Sequence, residues 1–175
     1  MSSLIRPPSE AIHRDWIASQ FSKGVHAEIQ MASEARERAA SPPQPDLGVL
    51  YTQIADADVR HRDIVETVAV RYGHTPDRKA GGGIGGTLNR LKDKVASIGS
   101  SPLDTVAHDL EAKSNAIHWY AAWVHAFEAI GDSQSARELA AVLIEEKSHV
   151  DALQDVLNRL VAQGAKAELE AVGVA

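Results

Sequence analysis

Asp58-Val-Arg-His61 and Glu146-Lys-Ser-His149 repeat one pattern 88 residues apart, each inside a segment with strong helical periodicity. Each sets a carboxylate and an imidazole three residues apart, which on a helix puts both side chains on one face, about one turn from each other. Two such helices facing one another can hold a pair of metal ions. Helical bundles build dinuclear sites from a carboxylate-x-x-His on each of two helices and a single glutamate from each of two others. Whether the chain has four helices, and whether these groups point inward, decides what the pattern means.

Helix punctuation answers the first question. A first helix is predicted from Ser9, an N-cap candidate after the helix-blocking Pro7-Pro8, to Ala40, before Pro42, Pro43 and Pro45. A second spans residues 46–72 and is closed by Gly73. Residues 73–101 carry Gly81, Gly82, Gly83, Gly85 and Gly86, then a weakly amphipathic run through Leu88, Leu91, Val95 and Ile98, which reads as a long connection with a short helix. The glycines follow no strand and lack the Gly-Lys-Ser/Thr of a phosphate loop. Pro102 suits the first turn of a third helix ending near Gly131, and Ser133 or Ser135 caps a fourth over residues 134–163. No segment alternates as a half-buried strand does.

Connection lengths then select a topology. The first and second helices, and the third and fourth, are joined by short links that make antiparallel neighbours, whereas the connection over 73–101 is long enough to return along the bundle. The expected fold is all-α: one domain over 1–175, a ferritin-like antiparallel four-helix bundle with one long crossover carrying a short extra helix.

Composition narrows the function classes. The chain has 175 residues and no cysteine, which removes disulfides, thiolate zinc sites and cysteine nucleophiles together. A formal charge of −6 argues against nucleic acid or an anionic membrane as partner. No apolar run approaches the length of about 18 residues that spans a bilayer. The first residues lack the apolar core of a signal peptide, so a cytoplasmic location is expected.

The apolar stripes answer the second question. In the fourth helix the stripe runs Leu139, Val142, Glu146, His149, Leu153, Val156, Leu160, in steps of three and four, so Glu146 and His149 take core positions. In the second it runs Leu50, Ile54, Ala57, His61, Ile64, Val68, with Asp58 at its edge, and in the first Ile17, Phe21, Gly24, Glu28, Met31, Ala35. Buried carboxylates and imidazoles are costly unless paired, hydrogen-bonded or bound to metal. A turn centred near residue 43 places Glu28 and Asp58 at one level, since each lies 15 residues from it. The third helix departs from the pattern. Its stripe, Val106, Leu110, Lys113, Ile117, Tyr120, Val124, Phe127, offers a lysine where a fourth carboxylate is expected, and His118 lies one residue round from Ile117. Three carboxylates and one ammonium sum to a charge of about −2, against about −4 for the four carboxylates that balance two divalent ions.

Over roughly residues 15–162 the chain resembles the ferritin-like, rubrerythrin-related family of bacterial stress-associated bundle proteins. The resemblance lies in Ala27-Glu28-Ile-Gln30 on the first helix, His61 on the second, Glu145-Glu146-Lys147 on the last, and Pro102 and Ala129-Ile-Gly-Asp132 at the ends of the third. Where that family carries two glutamates on its third helix, this chain reads Lys113-Ser-Asn-Ala116-Ile-His-Trp-Tyr120. The resemblance implies a di-metal fold whose site has been altered or lost.

Two readings follow. In one, Glu28, Asp58, His61, Glu146 and His149 are ligands to one or two iron or manganese ions, with His118 as a replacement ligand from the third helix, Tyr120 as an electron donor or acceptor, and O2 or peroxide as the oxidant. That reading expects Lys113 to turn away from the carboxylates. In the other, a metal-free structural or partner-binding bundle keeps a buried ion network, with the Lys113 ammonium between the carboxylates and the imidazoles bonded to Asp58. His13, His26, His74 and His108 read as surface residues in both. Trp119 and Trp123, four residues apart, read as an outward pair covered by the crossover helix or by a second copy in a homodimer.

Overall fold

The computed structural model describes residues 10–76, 78 and 101–171. Among them are four α-helices, α1 (Glu10–Ala40), α2 (Gly48–Arg71), α3 (Pro102–Ala129) and α4 (Ser133–Ala171), with a 3-10 turn over Pro45–Leu47 and no strand. No helix among the described residues is long and apolar enough to cross a membrane. The predicted crossover lies mostly outside the described residues, as do Ser9 and the side chain of His13.

The helix ends follow from local chemistry. Gly73 and Gly131 take left-handed φ angles of +80° and +82°, which a residue with a Cβ resists, and so close α2 and the α3–α4 turn. Ser101 and Asp104 form a reciprocal capping box ahead of Pro102 at the first turn of α3. For α4 the cap is neither Ser133 nor Ser135. Asp132 accepts the Ser135 backbone N–H at 3.0 Å and its hydroxyl at 2.6 Å. This helix also continues to Ala171, eight residues past the predicted end. Gly164 does not stop it, because glycine within an exposed helix costs only about 1 kcal/mol and the residues after it are strong helix formers.

Two apolar clusters fill the bundle. One joins Ile17, Phe21 and Val25 of α1, Val65, Val68 and Ala69 of α2, Tyr120, Trp123 and Phe127 of α3, and Ala136, Leu139 and Val142 of α4. The other joins Ala35, Leu47, Tyr51, Ile54, Val106, Leu153, Val156 and Leu160. On each helix a buried charged or polar residue falls between its members of the two clusters: Glu28, Asp58 with His61, Lys113 and Glu146. The polar residues therefore form a layer across the middle. Along α1 and α4 the first cluster is met before the second, and along α2 and α3 after it.

Trp123 departs from the sequence reading. It is only 4 % exposed, stacks on Phe21 at 4.7 Å and meets Tyr120 edge to face at 5.1 Å, while Trp119 stays 46 % exposed. What admits Trp123 to the core is Gly24 on α1. A Cβ there would stand 2.6 Å from Trp123 Cη2.

Gly24→Ala should therefore destabilise the protein by about 1–3 kcal/mol through overpacking. Urea unfolding checks this, and Trp123→Phe in the Gly24→Ala background should recover part of the loss. Additive losses in the double variant would contradict the contact.

Candidate metal centre

The middle layer is assembled by helical periodicity. Seven-residue steps on α3 line up Val106, Lys113, Tyr120 and Phe127, so Lys113 enters the core on the same face as the apolar residues that flank it. On α4 the apolar face places Glu146 between Val142 and Leu153, and on α2 Asp58 and His61 share the inward face with Ile54 and Val65. Glu28, Asp58, His61, Lys113 and Glu146 are all 3 % exposed or less.

At the centre is the Lys113 ammonium. Its Nζ donates to Asp58 Oδ1, and to Glu146 Oε1 at 2.9 Å. His61 faces a carboxylate with each ring nitrogen, Nδ1 at 2.9 Å from Glu146 Oε1 and Nε2 at 3.2 Å from Glu145 Oε2. Asp58 Oδ1 is 3.9 Å from His61 Nδ1, so the imidazole is held by the glutamates of α4 rather than by its own helix neighbour. Tyr120 donates its hydroxyl to Glu28 Oε1 at 2.6 Å, and Glu28 Oε2 lies 4.0 Å from His61 Nδ1. Arg60 holds Glu145 at 2.8 Å on the outer side.

Burial and charge together set the protonation of the layer. Burial raises the Glu28 carboxyl well above the ordinary range, and the nearby Asp58 and Glu146 charges add to this against the pull of Lys113. Burial likewise brings Asp58 up to about 6, with Lys113 opposing. Burial alone would raise Glu146 too, but Lys113 and the His61 hydrogen bond hold it below its usual value. For Lys113 burial disfavours the charge, yet the three carboxylates outweigh it and the ammonium is stabilised.

One ligating atom from each of Glu28, Asp58, His61 and Glu146 lies within 4.8 Å of the others. These four predicted ligands are thus brought together. His149 stands beside them, its ring centroid 6.2 Å from that of His61. Burial and the Lys113 charge lower its pKa to about 4, leaving a neutral imidazole. His118 is not brought in. It is exposed, with Nδ1 against the Ser114 carbonyl oxygen at 2.8 Å, because five residues beyond Lys113 is about 140° round the helix.

The donors fit one divalent ion. Glu28 Oε2, Asp58 Oδ2, Glu146 Oε2 and His149 Nδ1 are buried without a hydrogen-bond partner, and once all three carboxyls have shed their protons their charge against Lys113 is the −2 that one such ion neutralises. Mixed carboxylate and imidazole donors suit iron or manganese.

Sequence reasoning missed two parts of this region. Glu145 closes the His61 ring from outside, a contact hidden because Glu145 lies off the stripe. Glu34, His108 and Asp109 also bring ligating atoms within 4.8 Å of one another, and Asp109 is held by Arg38 at 3.1 Å and by Tyr51 at 2.8 Å. A cavity of about 20 Å³ between Glu34, Tyr51 and Asp109 reaches Asp58 and Lys113. His108 is therefore part of a polar cluster rather than a plain surface residue. A comparison with protein-family models and with curated proteins finds no match to this chain.

Lys113→Met should destabilise the metal-free protein by about 3–5 kcal/mol at pH 7, since three buried carboxylates lose their counter-charge. The loss should shrink at pH 5, below the Asp58 value of about 6, where that carboxyl takes up a proton. Urea unfolding at both pH values checks this, and a loss that is small or independent of pH would contradict it. His149 supplies a second pH test. Its folded pKa lies below the unfolded value, so the unfolded chain binds the proton first and stability falls as pH drops from 6.5 towards 4. The melting temperature of His149→Gln should fall less than that of the wild type over this window. Equal slopes would rule the assignment out.

Proposed function

We propose that this chain is a ferritin-like, rubrerythrin-related antiparallel bundle that binds one iron or manganese ion between Glu28, Asp58, His61 and Glu146, with His149 alongside and Lys113 in place of a second ion. The observation that carries the reading is the layer itself: four ligating groups within 4.8 Å of one another and four unpartnered buried donor atoms in the same region. The order of the apolar clusters supports the ferritin-like topology. It is reversed between α1 and α2 and between α3 and α4 but the same in α2 and α3, so those two need a connection that returns along the bundle. Contacts along α2 and α4 and at their ends agree in sense, running from Tyr72 with Asp132 just outside the two helices, through Arg60 with Glu145, to Asp46 of the 3-10 turn with Arg159.

A bound iron or manganese ion would supply a one-electron couple for ferroxidase chemistry or for reduction of O2 or peroxide in a stress role. The chain's own groups would set its surroundings. Glu28, Asp58 and Glu146 offer negative charge, His61 and His149 offer imidazole nitrogen, and Tyr120 steers Glu28 through its hydroxyl. Lys113 fixes Asp58 and Glu146 in place and occupies one cation position.

That same lysine favours a second reading. Lys113 does not turn away from the carboxylates, as the metal reading with one or two ions expects, but sits between two of them. A metal-free structural bundle with a buried ion network accounts for this contact directly.

Elemental analysis of protein purified from iron- and manganese-supplemented cells separates the two. The metal reading expects up to one ion per chain, lost in Glu146→Ala and in His149→Ala, with affinity weakening as pH falls through about 6 because Asp58 must shed its proton. Folded wild-type protein that takes up no metal would sink it and leave the ion network.

A further inference from the structure

The face of α3 that carries Tyr120 also carries a continuous row of aromatic rings leading outward. Tyr120 lies 6.3 Å from His61 between ring centroids, Trp123 lies 5.1 Å from Tyr120, and Trp119 lies 6.5 Å from Trp123. These are ordinary spacings of rings in mutual contact. Exposure rises along the row. Tyr120 is 2 % exposed and Trp123 4 %, whereas Trp119 is 46 % exposed. The sequence spacing produces the arrangement, since positions 119, 120 and 123 are separated by one, three and four residues and fall on adjoining parts of one helix face.

We propose that Trp119, Trp123 and Tyr120 form a relay that passes single electrons between the protein surface and the buried Glu28 layer. Electron tunnelling weakens exponentially with distance, so two short hops through indole rings outrun one long jump from the layer to solvent. The ends of the row have the chemistry this needs. When a one-electron oxidant removes an electron from Trp119, Trp123 refills it and Tyr120 refills Trp123. The phenolic proton of Tyr120 then passes along its 2.6 Å hydrogen bond to Glu28 Oε1 in the carboxylate form. The sum is one electron from Tyr120 to the oxidant and one proton from Tyr120 to Glu28. Trp123 is suited to the middle position because its buried Nε1 has no hydrogen-bond partner. Its oxidised ring has no neighbour to take the N–H proton and is refilled instead of being trapped as a neutral radical.

The relay stands on ring geometry and does not require a bound ion. Its use in turning over O2 or peroxide rests on the proposed metal site, and the test is therefore made on metal-free full-length protein at alkaline pH, where the Glu28 carboxyl is ionised and can accept the Tyr120 proton. Photogenerated tris(bipyridine)ruthenium(III), with persulfate as the terminal electron acceptor, oxidises exposed tryptophan, and electron paramagnetic resonance identifies where the radical comes to rest. The chain has three tryptophans and three tyrosines, so single substitutions assign the signal. Wild-type protein should give a tyrosyl radical that vanishes in Tyr120→Phe, is strongly reduced in Trp119→Phe, and is unchanged in Trp16→Phe, which removes the other markedly exposed indole. In Trp123→Phe the oxidation should remain at Trp119. If Trp123→Phe fails to fold, the exposed Trp119→Phe carries the test by itself. A tyrosyl signal that persists in Tyr120→Phe, or that is indifferent to Trp119→Phe, would overturn the relay. So would wild-type protein that gives no tyrosyl radical.

Discussion

A single ammonium group sits where three helices bring carboxylates together. Removing Lys113 and any bound cation would leave Glu28, Asp58 and Glu146 facing one another in a layer shut off from water by apolar clusters on both sides. Like charges in such surroundings repel strongly, and the layer would have to take up protons or open. With Lys113 present, Asp58 and Glu146 are held, Glu146 in turn holds the His61 ring, and Glu28 turns to Tyr120. All four helices are tied at one level by these contacts. The stripe of α3 positions the lysine, and the lysine decides how much negative charge remains for anything else.

That remainder determines the chemistry open to the protein. A dinuclear site balances two divalent ions with four carboxylates, and here one carboxylate is replaced by a positive charge, a change of two units. The residual charge and the unpartnered oxygens of Glu28, Asp58 and Glu146 match a single ion. The same arithmetic accounts for the protonation pattern without metal. Burial lifts Glu28 and Asp58, while Glu146, bonded to both Lys113 and His61, is held below its usual value. A layer with protons to lose is also one that a cation can enter by displacing them. The aromatic row from Tyr120 to Trp119 adds a path by which such a layer communicates with solvent.

Much of this was legible from periodicity. Glu146 interrupts an apolar stripe in steps of three and four, and no solvated helix face keeps such a stripe on both sides of a carboxylate. Glu28 and Lys113 stand out for the same reason, and Pro102 and Gly73 mark helix ends through backbone constraints local to the residue. The misreadings share a cause, which is that they concern contacts between helices. Trp123 looks outward on a projection of α3 alone. Only Gly24 on a neighbouring helix makes room for it. His118 is close to the site in sequence but turned away from it by the helix. Lys113 was visible as an oddity, while its two partners depend on the relative rotation of α2, α3 and α4, which no single stripe determines.

The claim on which the rest turns is that Lys113 stands in for a metal ion, and counting bound ions in Lys113→Glu against wild type tests it most directly. Native mass spectrometry of both proteins, loaded with Fe(II) or Mn(II) under the same anaerobic conditions, reads the number per chain. The variant should hold one more ion than the wild type. The same number in both proteins, with the variant folded, would contradict the account.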